Sequence, residues 1–155
     1  MVAWWHGCCE ARQDLVAATD LSPRLHVLLV DDDARTTYQL ARMLREDGYD
    51  VSVETDGARA RERLGQEPTP GALVTDLRMP HTSGLTLARA ARLQNEGLPV
   101  IVVTGYPNLA MPLERELDPP PFVLTKPVVY EELHALLRGV AEARVVSKTP
   151  LDGKP

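Results

Sequence analysis

The sequence predicts an α/β protein in which five strand–helix units lay a parallel sheet between two layers of helices. Three observations predict it. Short apolar runs rich in Val, Leu and Ile recur along the chain, and each is followed by residues with helical spacing of apolar positions. Regular alternation of the two kinds of segment favours parallel pairing through right-handed crossovers, which put helices on both faces. Four of the strand-like runs end on polar groups, Asp31-Asp32, Asp76, Thr104 and Lys126. In an open sheet of this kind, ligands bind at the carboxyl ends of the strands.

Each element follows in chain order. Leu25 to Val30 is an apolar run closed by three aspartates, as expected of a strand buried on both faces. Thr37, Leu40, Ala41 and Leu44 recur at helical spacing toward Gly48, and Asp33 suits the cap at the start of that helix. Val51 and Val53 alternate with polar residues, which marks a half-exposed edge strand. Ala58 to Leu64 is a short, weakly amphipathic helix, and Pro68, Pro70 and Gly71 form a loop. Ala72 to Thr75 is a third strand ending at Asp76, and Gly84 opens a helix reaching about Asn95. Pro99 to Val103 is a fourth strand, nearly all Val and Ile, closed by Thr104-Gly105.

The next helix is poor. Pro107, Pro112 and the run Pro119-Pro120-Pro121 crowd it from both sides, and Pro112 is tolerable only near a first turn. Phe122 to Thr125 is a short fifth strand ending at Lys126-Pro127, and Leu133, Leu136, Leu137 and Val140 stripe the last helix. The continuously apolar first and fourth strands should be central. Residues 24–144 read as the single domain. Residues 1–23 form a poorly ordered N-terminal extension without a clear period, ending in Ser22-Pro23, with a short helix allowed over Leu15 to Leu21. Residues 145–155 read as a frayed C-terminal tail.

Composition bounds the function classes. The chain is 44% hydrophobic and 25% charged, ordinary for a globular protein, with a formal net charge of -5. A mildly acidic chain whose Arg residues are spread over helical stretches argues against direct nucleic-acid binding. No apolar run approaches the about 20 residues needed to span a bilayer. The first ten residues lack the basic and apolar regions of a secretory signal. Cys8 and Cys9 are adjacent and form no disulfide framework, and with His6 they lack zinc-finger spacing. The expected location is cytoplasmic.

The residue types at the strand ends make chemical sense together. Three neighbouring carboxylates resist joint ionisation, and a bound divalent cation removes that conflict. Hard oxygen ligands suit Mg²⁺. One carboxylate can then act as nucleophile toward a phosphoryl group, while a Lys neutralises charge on the phosphoryl oxygens and a Thr hydroxyl donates to one.

The segments Val27-Leu28-Leu29-Val30-Asp31-Asp32-Asp33, Val74-Thr75-Asp76-Leu77-Arg78-Met79-Pro80 with Gly84, Val102-Val103-Thr104-Gly105 and the pair Lys126-Pro127 resemble the response-regulator receiver family of two-component signalling. The resemblance covers about residues 25–143, and the intervals of 45, 28 and 22 residues from Asp31 to Asp76, Thr104 and Lys126 in turn also resemble the family's. It implies a flavodoxin-like, doubly wound five-stranded sheet of order 2-1-3-4-5. It further implies Asp76 as phosphoacceptor, Mg²⁺ held by Asp32 and Asp76 with help from Asp31 and the backbone carbonyl of Arg78, Thr104 and Lys126 as phosphoryl ligands, and a cis peptide before Pro127. The implied donor is a phosphohistidine on a sensor histidine kinase or phosphotransfer protein, followed by self-catalysed hydrolysis rather than enzymatic turnover. One position departs: the family often has an aromatic rotamer switch three residues before the Lys, where this chain has Val123, with Phe122 one residue earlier.

Other residues near these motifs read differently. Met79, Pro80 and Gly84 shape a loop, Arg78 and Tyr106 flank the pocket where they could set the lifetime of a phosphoryl group, and His26 and His81 read as structural or surface residues. No effector unit is expected after residue 145, so output would pass through a protein partner, or the chain is a fragment of a hybrid kinase. Two other function classes compete. A haloacid-dehalogenase-type enzyme would need Thr or Val where Asp31-Asp32-Asp33-Ala34-Arg35 has Arg. An adaptor that is never phosphorylated would not need the acidic pair, Asp76, Thr104 and Lys126 together.

Overall fold

The computed structural model describes residues 24–148, so the N-terminal extension, with Cys8, Cys9 and the short helix expected over Leu15 to Leu21, lies outside the described residues. Five strands form one parallel sheet: β1 (His26–Val30), β2 (Asp50–Glu54), β3 (Ala72–Asp76), β4 (Val100–Thr104) and β5 (Phe122–Thr125). Their order is β2-β1-β3-β4-β5, as the resemblance implies. The sequence placed the first and fourth strands at the centre. Both are interior and fully buried, but β3 is the middle strand, because the reversal of strand order falls between β1 and β3. Edge strand β2 is only partly covered, in keeping with its alternating pattern.

Among the described residues, four α-helices connect the strands, α1 (Ala34–Glu46), α2 (Gly57–Leu64), α3 (Gly84–Gln94) and α4 (Met111–Glu116), and a fifth, α5 (Tyr130–Lys148), follows β5. Alternate strand residues face opposite layers. Val27, Leu29, Val74, Ile101 and Val103 pack with Leu44 of α1 and Leu133 and Leu137 of α5. On the other face Leu28, Val30, Leu73, Val100 and Val102 pack with Leu64, Leu87, Ala91 and Leu113. Each fully buried aliphatic side chain contributes about 1.5–3 kcal/mol, so aliphatic residues carry most of this core, with Tyr49 as its buried aromatic member among the described residues.

Local chemistry sets the helix ends. Asp33 caps α1, its carboxylate accepting from the backbone N–H of Thr36 at 3.4 Å and the Thr36 hydroxyl at 2.6 Å. Asp56 caps α2 by accepting from the N–H groups of Ala58 and Arg59 at 2.8 and 3.1 Å. Gly48 supplies the left-handed conformation, φ 92°, that turns the chain after α1 into β2.

The proline-crowded fourth helix is short, for the reason the sequence suggests. A 3-10 turn over Pro107–Ala110 precedes it, and Pro112 sits in its first turn, where a missing N–H costs nothing. The proline run beyond it is gripped by Arg92, which is only 6% exposed. Its guanidinium donates to the carbonyls of Glu96, Asp118 and Pro119 at 2.6–2.9 Å. Helix α5 continues to Lys148, four residues beyond the domain end read from the sequence. Among the described residues, no helix is long and apolar enough to cross a membrane.

Candidate functional site: an acidic pocket at the carboxyl edge of the sheet

Three parallel strands with strongly apolar sequences leave their last residues at one edge, beside the point where strand order reverses. Asp31 follows β1 directly and Asp76 ends β3. The two strands are neighbours, paired from Val27 with Ala72 to Val30 with Thr75, so the two carboxylates emerge side by side. Asp76 is 7% exposed, whereas Asp32 is turned to solvent.

Lys126, just past β5, bridges them across the edge. Its ammonium donates to Asp31 Oδ2 at 2.8 Å and to Asp76 Oδ2 at 3.0 Å. Burial is the largest single influence on this ammonium and opposes its charge. The hydrogen bonds and charges of Asp31 and Asp76 together outweigh it, so Lys126 is held above its ordinary basicity. The peptide between Lys126 and Pro127 is cis, matching the expectation for that proline.

The remaining carboxylate oxygens are held by backbone. Asp33 N–H donates to Asp31 Oδ1 at 2.9 Å, and Arg78 N–H donates to Asp76 Oδ1 at 3.2 Å. The Thr75 hydroxyl donates to the Asp76 carbonyl at 2.9 Å. Gly84, at the start of α3, allows a close approach beneath this strand end. A Cβ there would run into the Asp76 carbonyl and lie 2.9 Å from Leu77 Cα.

One carboxylate oxygen from each of Asp31, Asp32 and Asp76 lies within 4.8 Å of the others. The pocket continues inward as a 290 Å³ cavity between α1 and the β5–α5 connection, floored by Leu29, Val74 and Val103. Thr104 ends β4 at the same sheet edge and is fully buried; its hydroxyl oxygen accepts from the N–H of Tyr106 at 3.0 Å. The structure thus brings Asp31, Asp32, Asp76 and Lys126 into one pocket and sets Thr104 one strand away. Sequence reasoning assigned the side chains of Arg78 and Tyr106 only flanking positions, apart from the Arg78 carbonyl as a metal ligand, yet the Arg78 guanidinium lies over the Tyr106 ring. No spacing rule encodes that contact, because it joins two loops. His81 is exposed in the loop before α3, and His26 is buried at the amino end of β1, opposite the end that carries Asp31, with its Nε2 2.9 Å from Ser52 Oγ.

The sequence pattern of the response regulator receiver domain matches residues 27–138. The chain belongs to the response regulator receiver family. Receivers of this family act in two-component signalling as regulatory switches. Among curated relatives, this receiver is 35% identical over 131 residues to the transcriptional regulatory protein PrrA of Mycobacterium leprae, covering 83% of this chain and 54% of that protein. It is 34% identical over 119 residues to the response regulator MprA of the same organism, covering 75% of this chain and 50% of the relative. The chain therefore spans about half the length of the curated relatives it matches. A solved response regulator receiver protein from Sinorhizobium medicae superposes with a TM-score of 0.69 at 26% identity, over 78% of this chain and 97% of that one.

The β5 register locates the aromatic departure. Val102 pairs with Val123 and Ile101 with Phe122, without a bulge. Val123 packs toward the α3–α4 layer, where Phe122 cannot reach because successive strand residues face opposite ways. The proline-rich approach does not shift the strand to restore the ring.

Proposed function

We propose that this receiver accepts a phosphoryl group on Asp76 from a phosphohistidine of a sensor histidine kinase or phosphotransfer protein, and signals by binding a downstream protein partner. The single observation that carries this reading is the Lys126 ammonium shared between Asp31 and Asp76, which sets a cation beside a buried carboxylate at the mouth of a cavity.

The donor set fits a magnesium ion. Three carboxylate oxygens within 4.8 Å of one another are close to the about 4.2 Å that opposite ligands of Mg²⁺ span. Asp31, Asp32 and Asp76 would hold it, with the carbonyl of Arg78 as a further oxygen, and it would supply positive charge for the phosphoryl oxygens. Asp76 Oδ attacks phosphorus in line as the phosphorus–nitrogen bond to the donor imidazole breaks; the nitrogen keeps the bonding pair and takes up a proton. Lys126 leaves Asp76 for a phosphoryl oxygen, and the Thr104 hydroxyl turns from the Tyr106 N–H to donate to another. Water later hydrolyses the acyl phosphate in the same pocket, so no separate substrate is turned over.

Incubation with Mg²⁺ and acetyl phosphate or phosphoramidate, read by intact mass, tests the assignment. The wild type should gain one phosphoryl group and Asp76→Asn none; equal gain in both would refute it. Output through DNA is a second reading, favoured because one relative is named a transcriptional regulatory protein and the match covers only 54% of it. An additional unit would have to supply the DNA contacts, because this chain carries a net charge of -5.

A further inference from the structure

The acidic pocket occupies one edge of the sheet; a second concavity occupies the other. A groove of 600 Å³ runs between the amino ends of β3 to β5 and helix α5, with Pro120, Phe122, Leu136, Gly139 and Val140 among its lining and Arg144 as a cation. Phe122, the single phenylalanine of the chain, is 45% exposed there. Ala135, Gly139 and Ala143 recur every fourth residue along α5 and recess the helix face that borders the groove. The groove has the size of a ligand site, about 300–1,000 Å³.

The chain supplies an occupant. The side chains of Leu25 and Arg144 both fill the space that a Cβ on Gly71 would need, and Gly71 and Arg144 line the groove. Residues 1–23 therefore join the described fold at the rim of this groove. That segment carries both tryptophans of the chain, Trp4 and Trp5, and three acids, Glu10, Asp14 and Asp20, against one base, Arg12. Eighteen residues separate Trp5 from Arg24. They would span about 27 Å as a helix and about 60 Å extended, against about 28 Å for the whole of α5, so the indoles reach any point of the groove.

We infer that this groove is the seat of the chain's own residues 1–23, with Trp4 and Trp5 laid against Phe122 and Leu136 and the acidic side chains near Arg144. A segment seated there covers the recessed face of α5, and a partner that uses that face must displace it.

Both tryptophans lie in the segment, so tryptophan emission of the full chain, excited selectively beyond the tyrosine absorption, reports on it alone. In native buffer the emission should be blue-shifted from that of the same chain in urea, and acrylamide should quench it several-fold less. Gly139→Leu projects a side chain into the groove from a position where a Cβ meets nothing within 4 Å. It should return both readings to the hydrated values while circular dichroism stays native. Phe122→Ala, at a half-exposed position, should move them the same way and carries the test if Gly139→Leu does not fold. Emission and quenching in native buffer equal to those in urea would overturn the inference. So would a blue shift that survives both variants, or one lost on dilution with dissociation of a dimer, which would make a second copy the occupant.

Discussion

The Arg78 guanidinium lies over the ring of Tyr106, 4.8 Å from its centroid, and ties the loop after β3 to the loop after β4. The same two residues hold the chemistry beneath them, because Arg78 N–H donates to Asp76 and Tyr106 N–H to the Thr104 hydroxyl oxygen. A cation–π pair at such an exposed site is worth about 0.5–1 kcal/mol. It is therefore a weak tie between the two loops rather than a lock. Arg78→Ala and Tyr106→Ala should each let water in and shorten the lifetime of the acyl phosphate by a few fold, and the double variant should add little. Timing the loss of the phosphoryl mass checks this; unchanged lifetimes would show that the tie between the two loops has no part in protecting the acyl phosphate.

Lys126 balances two carboxylates in the resting pocket and is assigned to the phosphoryl group in the reacting one. A charge-assisted hydrogen bond is worth about 1.5–3 kcal/mol, so Lys126→Met should slow phosphorylation by about 10- to 100-fold. Magnesium binding should persist and tighten, since the ammonium no longer competes for Asp31 and Asp76. Titration calorimetry with Mg²⁺ beside the mass assay separates the two effects. Loss of metal binding would contradict the balance described here.

Gly84 should tolerate no side chain. The methyl of Gly84→Ala would meet the main chain at Asp76 and Leu77, which cannot give way as a flexible side chain can. Overpacking of this kind costs about 1–3 kcal/mol. Urea unfolding should show that loss, and phosphorylation should fall with it because the displaced atoms carry Asp76. A variant of wild-type stability would mean that α3 can retreat freely.

Asp56 offers a pH-dependent contribution to stability away from the pocket. The N–H groups of Arg59, first, and Ala58 hold its carboxyl below the ordinary value of 3.8. Its stabilisation is therefore present above the unfolded value and is lost as pH falls through the lower folded one. Asp56→Ala should unfold at lower urea than the wild type at neutral pH, and the gap should close in acid below 3.8. A gap independent of pH would show that the carboxylate charge has no part in capping α2.

Much of this was legible in the sequence because strand and helix periods differ and because the special residues stand where strands stop. The runs Leu25 to Val30 and Pro99 to Val103, the aspartates and Lys126 each announce themselves locally, and the structure gathers Asp31, Asp32, Asp76 and Lys126 as that reading requires. What escaped is relational. The central place of β3 followed only from the strand order 2-1-3-4-5 that the family resemblance implies, because the length and hydropathy of β1 and β4 do not reveal it. Arg92 looks like a surface cation on a helix, and only the proline run folding back over α3 buries it. The extension of α5 to Lys148 had no apolar stripe to signal it, since Val145 and Val146 are largely exposed.

The valine at position 123 shapes how news of phosphorylation could travel. Branched at Cβ, Val123 has few rotamers and no ring to swing between an outward and an inward pose. The end of β4 is instead tied to its neighbour through main chain, with Lys126 N–H donating to the Thr104 carbonyl at 3.0 Å. A switch wired this way would move as a hinged plate rather than turn a lever, and the surface a partner reads would be the relative set of two strand ends.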